Sequence, residues 1–537
     1  MRIIVLGGYG VFGAKLVELL TRDKHEVIVA GRSAEKAEAL AAQYGAGHVA
    51  VDRTGDLMAL WALNPDLIVD AAGPFHAYGD DPYAFAKACV GQGVNYLDLC
   101  DDPSFCAGIT TLDRQARAAG VFALSGASSV PAISSAVVAA LSQDTDEIDT
   151  ISTAILPGNR APRGRSVVSS ILNQCGETFD VVTDGTSTPI RSWSRPEMFD
   201  LGQGIRRRGW VIEVPDHRLF ADAFGARSVQ FRAGLELGIM NWSLAVLSWL
   251  RGKWPFRVPN ALVGIALKVS KMLYPFGTDV GGMSVAVSVR SGRDWQLRNW
   301  RLVAKEGDGP FIPAVAARTI ARDMAQIEPG ARPAIAEVPL DALEAAMADL
   351  AVTTEIVTHE QIPIFPQHLG SQFDQLAPQV RALHSTYGIR RWAGRAKVKR
   401  GTSMFARLLA KILGFPPAHD DMPVSVTITP ENGQERWERD FAGDQFVSHL
   451  RVQNGHMTER FGPLTFDIGL HVDHGQLVFP VTRGRCGPIP LPKFALPRSV
   501  AREFEDSGKF HFDVALYAPF TGALIVHYQG WLTREKP

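Results

Sequence analysis

The pattern of apolar and polar positions divides the chain into three segments. In residues 1–140, short apolar runs alternate with stretches of helical periodicity, and this alternation predicts a Rossmann-type, doubly wound parallel sheet. Residues 141–358 mix strand and helix patterns and predict an α+β domain for substrate binding or dimerisation. In residues 373–537, apolar and polar residues alternate at every second position, which predicts a mainly antiparallel β domain, either a barrel or a strongly curved sheet. The expected fold class is therefore α/β at the N-terminus, α+β in the middle and mainly β at the C-terminus.

The first apolar run leads into a glycine-rich turn with the spacing Gly8-x-Gly10-x-x-Gly13. A helical pattern and a second apolar run follow, as in a β-α-β unit. Gly8 would allow the tight turn, Gly10 the approach of a pyrophosphate, and Gly13 close packing of helix on strand. Unpaired N–H groups at the helix N-terminus would face the phosphates. We predict a dinucleotide site, with a glycine turn that binds nothing as the alternative. Its predicted contacts are Gly8, Tyr9, Gly10, Val11, Phe12 and Gly13.

The end of the second strand distinguishes between dinucleotides. Enzymes that use NAD usually carry Asp or Glu there, to hold the ribose 2′-hydroxyl. This strand ends in Gly31-Arg32-Ser33, with Lys36 one turn later. A guanidinium suits a 2′-phosphate. We predict NADP(H) as the cofactor, bound by Arg32, Ser33 and Lys36; the alternative is a solvated Arg32 and a Ser33 that only caps the next helix.

A later apolar strand, residues 66–73, runs into Pro74 and Phe75. In doubly wound sheets the ligand crevice lies outside the carboxyl ends of the strands. We therefore predict that Ala72, Gly73 and Pro74 lie beside the nicotinamide half of the cofactor.

Hydride transfer usually needs a proton carrier near the nicotinamide. The catalytic candidates are His76, after the fourth strand, and Asp98, in the fifth. Tyr96, Asp101 and Asp102 are further groups near the same crevice. The alternatives are a surface position for His76 and a structural hydrogen-bonding role for Asp98.

Asn159, Arg160 and Arg163 precede a predicted helix that begins near residue 165. Guanidinium groups around a helix N-terminus favour an anionic ligand, so these residues are predicted to anchor the substrate. The alternative is that they bind acidic groups within the fold.

The apolar stretch 235–274 carries Trp242 and Trp249 together with several Lys and Arg residues. This composition indicates peripheral membrane contact and a lipid-like substrate. Buried core or a homodimer interface is the alternative.

Composition narrows the remaining classes. The 537 residues include 55 basic and 56 acidic ones, for a net charge of −1, so no nucleic-acid partner is expected. The five cysteines form no C-x-x-C pair, and the C-terminal histidines have no convincing ligand spacing, so neither a disulfide framework nor a metal site is predicted. Because the first predicted strand begins at the third residue, we do not expect an export signal, and we expect a cytoplasmic location.

The motifs GGYGVFG, AGR, VDAAGPF and YLDL, in this order, resemble the saccharopine dehydrogenase-like oxidoreductases. Residues 373–537, with ERFGPLTFD and YQGWL, are similar to the uncharacterised domain that follows in a bacterial subgroup. The resemblance implies an NADP-dependent oxidoreductase that transfers hydride to or from a small or lipidic carbonyl or imine. The chain departs from the amino-acid-reducing members at Ser125–Pro131, so saccharopine itself is not implied. The alternative is a non-catalytic NADP-binding sensor or scaffold whose C-terminal domain binds a ligand.

Overall fold

The computed structural model describes residues 1–412, 414–431 and 433–534. The chain forms two compact units. The first comprises residues 1–182, 187–292 and 297–359, and the second comprises residues 183–186, 293–296 and 360–537.

The first unit carries most of the helices. Its strands are β1 (Arg2–Leu6), β2 (Glu26–Gly31), β3 (Gly47–Ala50), β4 (Leu67–Asp70), β5 (Asn95–Asp98), β6 (Phe122–Ser125), β7 (Glu147–Leu156), β8 (Thr178–Thr183), β9 (Thr186–Arg191), β10 (Glu197–Asp200), β11 (Arg206–Val211), β12 (Ser228–Ala233), β13 (Gly281–Ser291), β14 (Asp294–Ala304), β15 (Gly330–Pro333) and β16 (Val352–Glu360). Its helices are α1 (Val11–Arg22), α2 (Ala34–Tyr44), α3 (Met58–Trp61), α4 (Ala84–Gly91), α5 (Pro103–Gly108), α6 (Asp113–Ala119), α7 (Ser134–Leu141), α8 (Arg165–Gln174), α9 (Pro215–Phe224), α10 (Gly238–Lys253), α11 (Asn260–Leu273), α12 (Ile312–Arg322) and α13 (Leu340–Ala345).

The N-terminal sheet has the strand order β15-β6-β5-β4-β1-β2-β3, and every pairing in it is parallel. Ile3 and Val5 of β1 pack into one apolar core, and Ile4 and Leu6 pack into another. A strand buried on both faces must be apolar at every position, which is why this sheet was visible in the sequence. The predicted doubly wound fold is confirmed.

One strand of this sheet was not anticipated. β15 comes from residues 330–333, well beyond the predicted 1–140 segment, and pairs with β6. It is short, ends in proline and lacks alternation, so its pattern gives no strand signal. The boundaries of the three predicted segments stay a prediction.

The middle of the chain forms a second, mixed sheet with the order β10-β11-β12-β7-β13-β14-β16. β12 and β7 are parallel, whereas β7 and β13 are antiparallel. Val285 and Val287 of β13 are fully buried in the core that also holds α1, α7 and α12. The middle region is therefore the predicted mixture of helices and sheet.

A buried ion-pair network fixes α12 against the end of α1. The Arg318 side chain, 2% exposed, donates to both carboxylate oxygens of Asp23 at 2.9 and 2.8 Å and to Asp349 at 2.6 Å. Arg322, at the surface, donates to the same Asp23. These guanidinium hydrogen bonds hold the pKa of Asp23 well below its usual range, against the opposing effect of its burial.

The second unit consists mainly of strands. Its helices are α14 (Ile364–Leu369), α15 (Pro378–His384) and α16 (Met404–Ile412). Its strands are β17 (Arg390–Arg400), β18 (His419–Glu431), β19 (Gln434–Phe441), β20 (Asp444–Gln453), β21 (His456–Phe461), β22 (Leu464–Ile468), β23 (His471–Asp473), β24 (Gln476–Val478), β25 (Val481–Cys486), β26 (Ile489–Pro490), β27 (Arg498–Asp506), β28 (Lys509–Tyr517) and β29 (Leu524–Arg534). Among the described residues of both units, no helix is long and apolar enough to cross a membrane.

These strands form one antiparallel sheet with the order β23-β24-β27-β28-β29-β17-β18-β19-β20-β21-β22-β25-β26. β24 pairs with β27 and β25 pairs with β22, and these two short strands are consecutive parts of residues 476–486. The link between them is bonded on both sides, since Phe479 N–H donates to Ala501 and Gly469 N–H donates to Pro480. The sheet therefore closes on itself, and the predicted mainly antiparallel β segment is confirmed over the residues described.

Candidate functional site

A cleft of about 450 Å³ opens at the carboxyl ends of the parallel strands of the first unit. This is the edge at which doubly wound sheets bind ligands. The lining residues come from the loops after β1 to β5 and from one face of α8. They are Leu6, Gly7, Tyr9, Gly10, Val11, Phe12, Gly31, Arg32, Val51, Asp52, Arg53, Thr54, Ala71, Ala72, Gly73, Pro74, Phe75, Ala77, Leu99, Asp101, Val167 and Ser170.

The glycines of the turn have structural roles that differ from the predicted ones. Gly7 has the left-handed φ of +71°, and a Cβ there would lie 2.7 Å from Ala72 Cα, so Gly7 rather than Gly8 makes the tight turn. Gly8 is absent from the cleft lining and instead packs under the loop, where a Cβ would lie 2.9 Å from the Val5 carbonyl. The spacing Gly8-x-Gly10-x-x-Gly13 does not include Gly7, which is why the motif did not identify it.

The other two glycines of the turn allow close backbone approach. A Cβ on Gly13 would lie 2.4 Å from the Gly7 carbonyl oxygen, so only glycine lets α1 pack this tightly on the turn. Gly10 caps α1, and no side chain accepts a hydrogen bond from the N–H groups of the first helical turn. Those N–H groups therefore form an anion-binding end, and the cradle fits a pyrophosphate.

Tyr9 joins the glycine turn to the end of β2. Its hydroxyl accepts a hydrogen bond from Ser33 N–H at 3.2 Å. Its ring covers Gly31, where a Cβ would lie 2.5 Å from the ring edge. The phosphate-binding turn and the loop that carries Arg32 are thus held together by one aromatic side chain.

Two arginines line the cleft from the loops after β2 and β3. Arg32 is exposed and follows β2, and Arg53, which was not identified from the sequence, follows β3. The Arg53 guanidinium lies 3.4 Å from the centre of the Tyr78 ring, in the loop after β4, which fixes its position. Its sequence signal was its place three residues after the end of β3 at Ala50.

Asp52 shapes this loop. Its carboxylate accepts hydrogen bonds from both the N–H and the hydroxyl of Thr54, at 3.0 and 2.8 Å. These bonds, helped by nearby Arg32 and Arg53, hold the pKa of Asp52 below its usual range. Asp52 is therefore ionised, and its carboxylate is hydrogen-bonded within its own turn.

Ser33 and Lys36 lie outside the cleft lining. The Ser33 hydroxyl accepts a hydrogen bond from Lys36 N–H and caps α2. The structure thus favours the capping alternative for Ser33, and leaves Arg32 as the predicted residue that faces the cleft from this loop.

The loops after β4 and β5 line the cleft with Ala72, Gly73 and Pro74, as predicted for the nicotinamide half, together with Leu99 and Asp101. Asp101 is exposed to the cleft but otherwise surrounded by protein. Burial by those walls raises the pKa of its carboxyl, and the nearby Asp102 acts in the same direction. Asp101 is therefore the acidic group of these two loops that can meet a ligand.

The two catalytic candidates chosen from the sequence do not line the cleft. Asp98 is fully buried, and its Oδ1 accepts hydrogen bonds from Ser125 Oγ at 2.9 Å, Gly126 N–H at 2.7 Å and Cys100 N–H at 3.0 Å. Asp98 therefore links β5 to β6. We assign it this structural role in place of the predicted catalytic one. His76 is exposed outside the lining, close enough to Asp101 to lower the pKa of that carboxyl slightly.

The predicted anion site also has a structural explanation. Asn159 is 1% exposed; its side-chain amide donates to the Leu273 carbonyl at 2.7 Å, and its Oδ1 accepts from Arg163. Arg163 also donates to Ser270 at 2.9 Å. Arg160 donates its backbone N–H to Thr278 and does not line the cleft. Asn159 and Arg163 therefore hold the end of α11 instead of facing a substrate.

The closed sheet of the second unit encloses a separate cavity of about 120 Å³. Its walls are mostly aromatic and aliphatic, including Phe441, Phe466 and Phe512. Arg439 lines it as well, donating to Ser448 at 2.8 Å and pairing with Glu459 at 3.4 Å. Glu503, the third charged residue of the lining, pairs with His384 at 2.6 Å.

Two family models match the sequence. The model of the saccharopine dehydrogenase NADP binding domain matches residues 3–124, and that of a domain of unknown function, DUF4166, matches residues 376–532. A search of curated protein sequences found no match.

Several solved structures are similar to part of the chain. Apo histidine-tagged saccharopine dehydrogenase (L-Glu forming) from Saccharomyces cerevisiae is 14% identical, with 66% of this chain and 99% of that chain covered and a TM-score of 0.48. A probable dehydrogenase from Thermotoga maritima is 10% identical, with 65% and 95% covered and a TM-score of 0.33. Yeast methylglyoxal/isovaleraldehyde reductase Gre2, complexed with NADPH, is 19% identical, with 18% and 37% covered and a TM-score of 0.17.

Proposed function

The chain carries a saccharopine dehydrogenase NADP-binding domain followed by a DUF4166 domain, and on this premise we propose that it is an NADP(H)-dependent oxidoreductase. The observation that carries the proposal is the arrangement of the cleft. Arg32 and Arg53 line the cleft from the loops after β2 and β3, the uncapped N-terminus of α1 lies beside the glycine turn, and the Asp101 carboxyl lines the cleft from the loop after β5.

The choice of NADP(H) over NAD(H) rests on Arg32 and Arg53. Arg32 directly follows β2, where an NAD enzyme would place an acid for the ribose 2′-hydroxyl, and Arg53 lines the cleft from the loop after β3. Guanidinium groups bind a phosphate through paired hydrogen bonds. The acid nearby, Asp52, is already engaged by Thr54.

The remaining groups fit hydride transfer. The bound cofactor supplies or accepts the hydride. Gly10 and the first turn of α1 hold the diphosphate, and Ala72, Gly73 and Pro74 form the wall beside the reacting ring. Asp101, the acid of the lining in the loop after β5, would protonate or deprotonate the substrate heteroatom.

We propose a carbonyl or imine as the substrate class, either small or lipidic. Leu99 and Val167 contribute apolar groups to the cleft lining, and Asp101 is its acid in the loop after β5. A substrate with an apolar body and one polar reacting centre fits these surroundings.

The test of the cofactor is a pair of binding titrations with NADPH and NADH, followed by tryptophan or nicotinamide fluorescence. Wild type should bind NADPH more tightly, and Arg32→Asp should remove that preference. NADH binding at least as tight as NADPH binding in wild type would contradict the assignment.

The test of the reaction is NADPH oxidation against a panel of aldehydes, imines and acyl compounds, including long-chain members. Gly10→Ala is the control, because a Cβ there would lie 3.0 Å from the Gly7 carbonyl and obstruct the phosphate turn. Tight NADPH binding without turnover on any class would instead favour the non-catalytic sensor.

A further inference from the structure

An apolar surface of unusual size lies on α10, α11 and the turn that follows them, residues 238–276, here called the amphipathic pair. Of the 22 exposed large hydrophobic side chains among the described residues, 11 belong to this segment. They are Ile239, Trp242, Val246, Trp249, Trp254, Phe256, Ile265, Val269, Met272, Tyr274 and Phe276. Scattered exposed apolar residues are normal, whereas the concentration of half of them in this one segment indicates an interaction surface.

These side chains form regular stripes. On α10, Ile239, Trp242, Val246 and Trp249 follow one another at spacings of three and four residues, so they share one helix face. The opposite face of α10 is used within the fold, since Asn241 and Ser248 are buried.

On α11, the exposed residues Ile265, Val269 and Met272 repeat the same spacing, whereas Val263 is 3% exposed and faces inward. Both helices therefore present an apolar face that the chain itself leaves uncovered. The alternative of buried core, considered for this stretch in the sequence analysis, does not apply to these faces.

The segment is also strongly basic. Between Glu236 and Asp279 there is no acidic residue, while Arg251, Lys253, Arg257, Lys268 and Lys271 give five positive charges. All of them except Arg251 are exposed. The four exposed residues take part in none of the ion pairs found among the described residues.

Cations lie directly beside the exposed aromatic rings. Lys253 Nζ lies 4.2 Å from the centre of the Trp249 ring, and the Arg208 guanidinium lies 5.8 Å from that of Trp242. Tryptophan rings beside lysine and arginine are typical of the boundary between lipid acyl chains and headgroups.

We propose that the amphipathic pair is a peripheral docking surface for a bilayer that contains anionic phospholipids. The apolar stripes would enter the acyl boundary, and the unpaired lysines and arginines would contact the headgroup phosphates. A second copy of this chain is a poorer occupant, because it would bring the four exposed positive charges of one segment against the same four of the other, with no acidic residue in either segment to pair with them.

The docking surface adjoins the cleft through α8. Val168 and Leu172 of α8 pack against Val263 of α11, whereas Val167 and Ser170 line the cleft from the same helix. Docking would therefore bring the mouth of the cleft near a membrane. This placement favours the lipidic substrates within the proposed function, and only this part of the inference rests on the proposed function.

The experiment is flotation of the full chain with two kinds of vesicle, phosphatidylcholine alone and equal parts of phosphatidylcholine and phosphatidylserine. Wild type should float with the mixed vesicles, and less so when salt is added. The double variant Lys268→Gln and Lys271→Gln should bind the mixed vesicles on the order of 25-fold more weakly, at about fivefold per charge. Trp249→Ser should weaken binding to both vesicles by about tenfold or more.

The matched control is Ile356→Ser, which removes an equally exposed apolar side chain from β16, outside the amphipathic pair. It should float like wild type. NADPH binding by each variant checks folding and separates failure of docking from failure of the proposed function.

Recovery of wild type in the lipid-free fraction with both vesicles, despite intact NADPH binding, would overturn the proposal. So would equal losses in Trp249→Ser and Ile356→Ser. A dimer in sedimentation that Trp249→Ser dissociates would assign the surface to a second copy instead.

Discussion

The ring of Tyr9 lies over Gly31, so closely that a Cβ on Gly31 would come within 2.5 Å of Tyr9 Cε1. Tyr9 belongs to the glycine turn, and Gly31 is the last residue of β2. The distance between the glycine turn and Arg32 therefore depends on the Tyr9 ring and on the absence of a side chain at Gly31.

Gly31→Ala should therefore displace Tyr9 and break the hydrogen bond from Ser33 N–H to its hydroxyl. We expect NADPH affinity to fall by about tenfold, which corresponds to about 1.4 kcal/mol. Isothermal titration measures the change. Gly91→Ala, in α4 with open space around its Cα, is the control and should bind like wild type; equal affinity in both variants would show that the Tyr9 contact does not position the cofactor loops.

Asp101→Asn should lower turnover by about a hundredfold with no change in NADPH affinity, because the amide cannot take up or release the proton. Steady-state kinetics on the active substrate class and NADPH titration provide the two measurements. Asp102→Asn is the matched control. Asp102 caps α5 by accepting from Phe105 N–H at 2.8 Å, and asparagine can retain that bond. Full activity in Asp101→Asn would exclude this carboxyl as the proton carrier.

Asp98 should make stability depend on pH. Burial raises the pKa of Asp98 from 3.8 to about 7, although hydrogen bonds from Gly126 N–H and Ser125 favour the charged form. Between these values the folded state holds a proton that the unfolded state has lost. The contribution of Asp98 to the free energy of unfolding should therefore fall as pH rises from about 4 to about 7 and level off above that.

Asp98→Asn should remove that decline, which amounts to at most about 4 kcal/mol. Urea unfolding at about pH 5 and about pH 8 gives the comparison. Substitution of the exposed Asp80 by Asn is the control, and a variant Asp98→Asn that keeps the wild-type slope would argue against this carboxyl as its source.

Arg318→Met should destabilise the first unit by about 3–5 kcal/mol, because it leaves the carboxylate of Asp23 partly buried without its main partner. Arg322→Met, which removes a 37% exposed guanidinium from the same carboxylate, should cost less than about 1 kcal/mol. Denaturant titration of both variants tests the ranking. Similar losses would mean that the network is not governed by burial.

The parallel sheet could be predicted because its strands are buried on both faces and are followed by recognisable turns. Val27 and Val29 face one core and Ile28 the other, which leaves a run without polar interruption. Arg32 was identifiable for a related reason, since its position is fixed by the strand that it ends. β15 was not, because Ala331 is held in place by a hydrogen bond to Asp113, a residue more than two hundred positions earlier.

The site residues show the same limit. Asn159 and Arg163 have the composition of an anion site, but the Asn159 amide donates to Leu273 and the Arg163 Nη1 donates to Ser270, each over a hundred residues later in the chain. Asp98 and Asp101 are equivalent in the sequence as acids near the end of one strand. Which of them faces water depends on the turn after β6, where Gly126 N–H donates to Asp98. The local pattern of apolar and polar residues around the two acids does not predict this contact.

α8 is a wall shared by two compartments, with Val167 and Ser170 on the cleft side and Val168 and Leu172 against α11. One helix thus contacts both the cleft and the amphipathic pair. If a ligand in the cleft changes the affinity of the amphipathic pair for what binds there, thermodynamic linkage requires that binding there change the affinity of the ligand by the same factor.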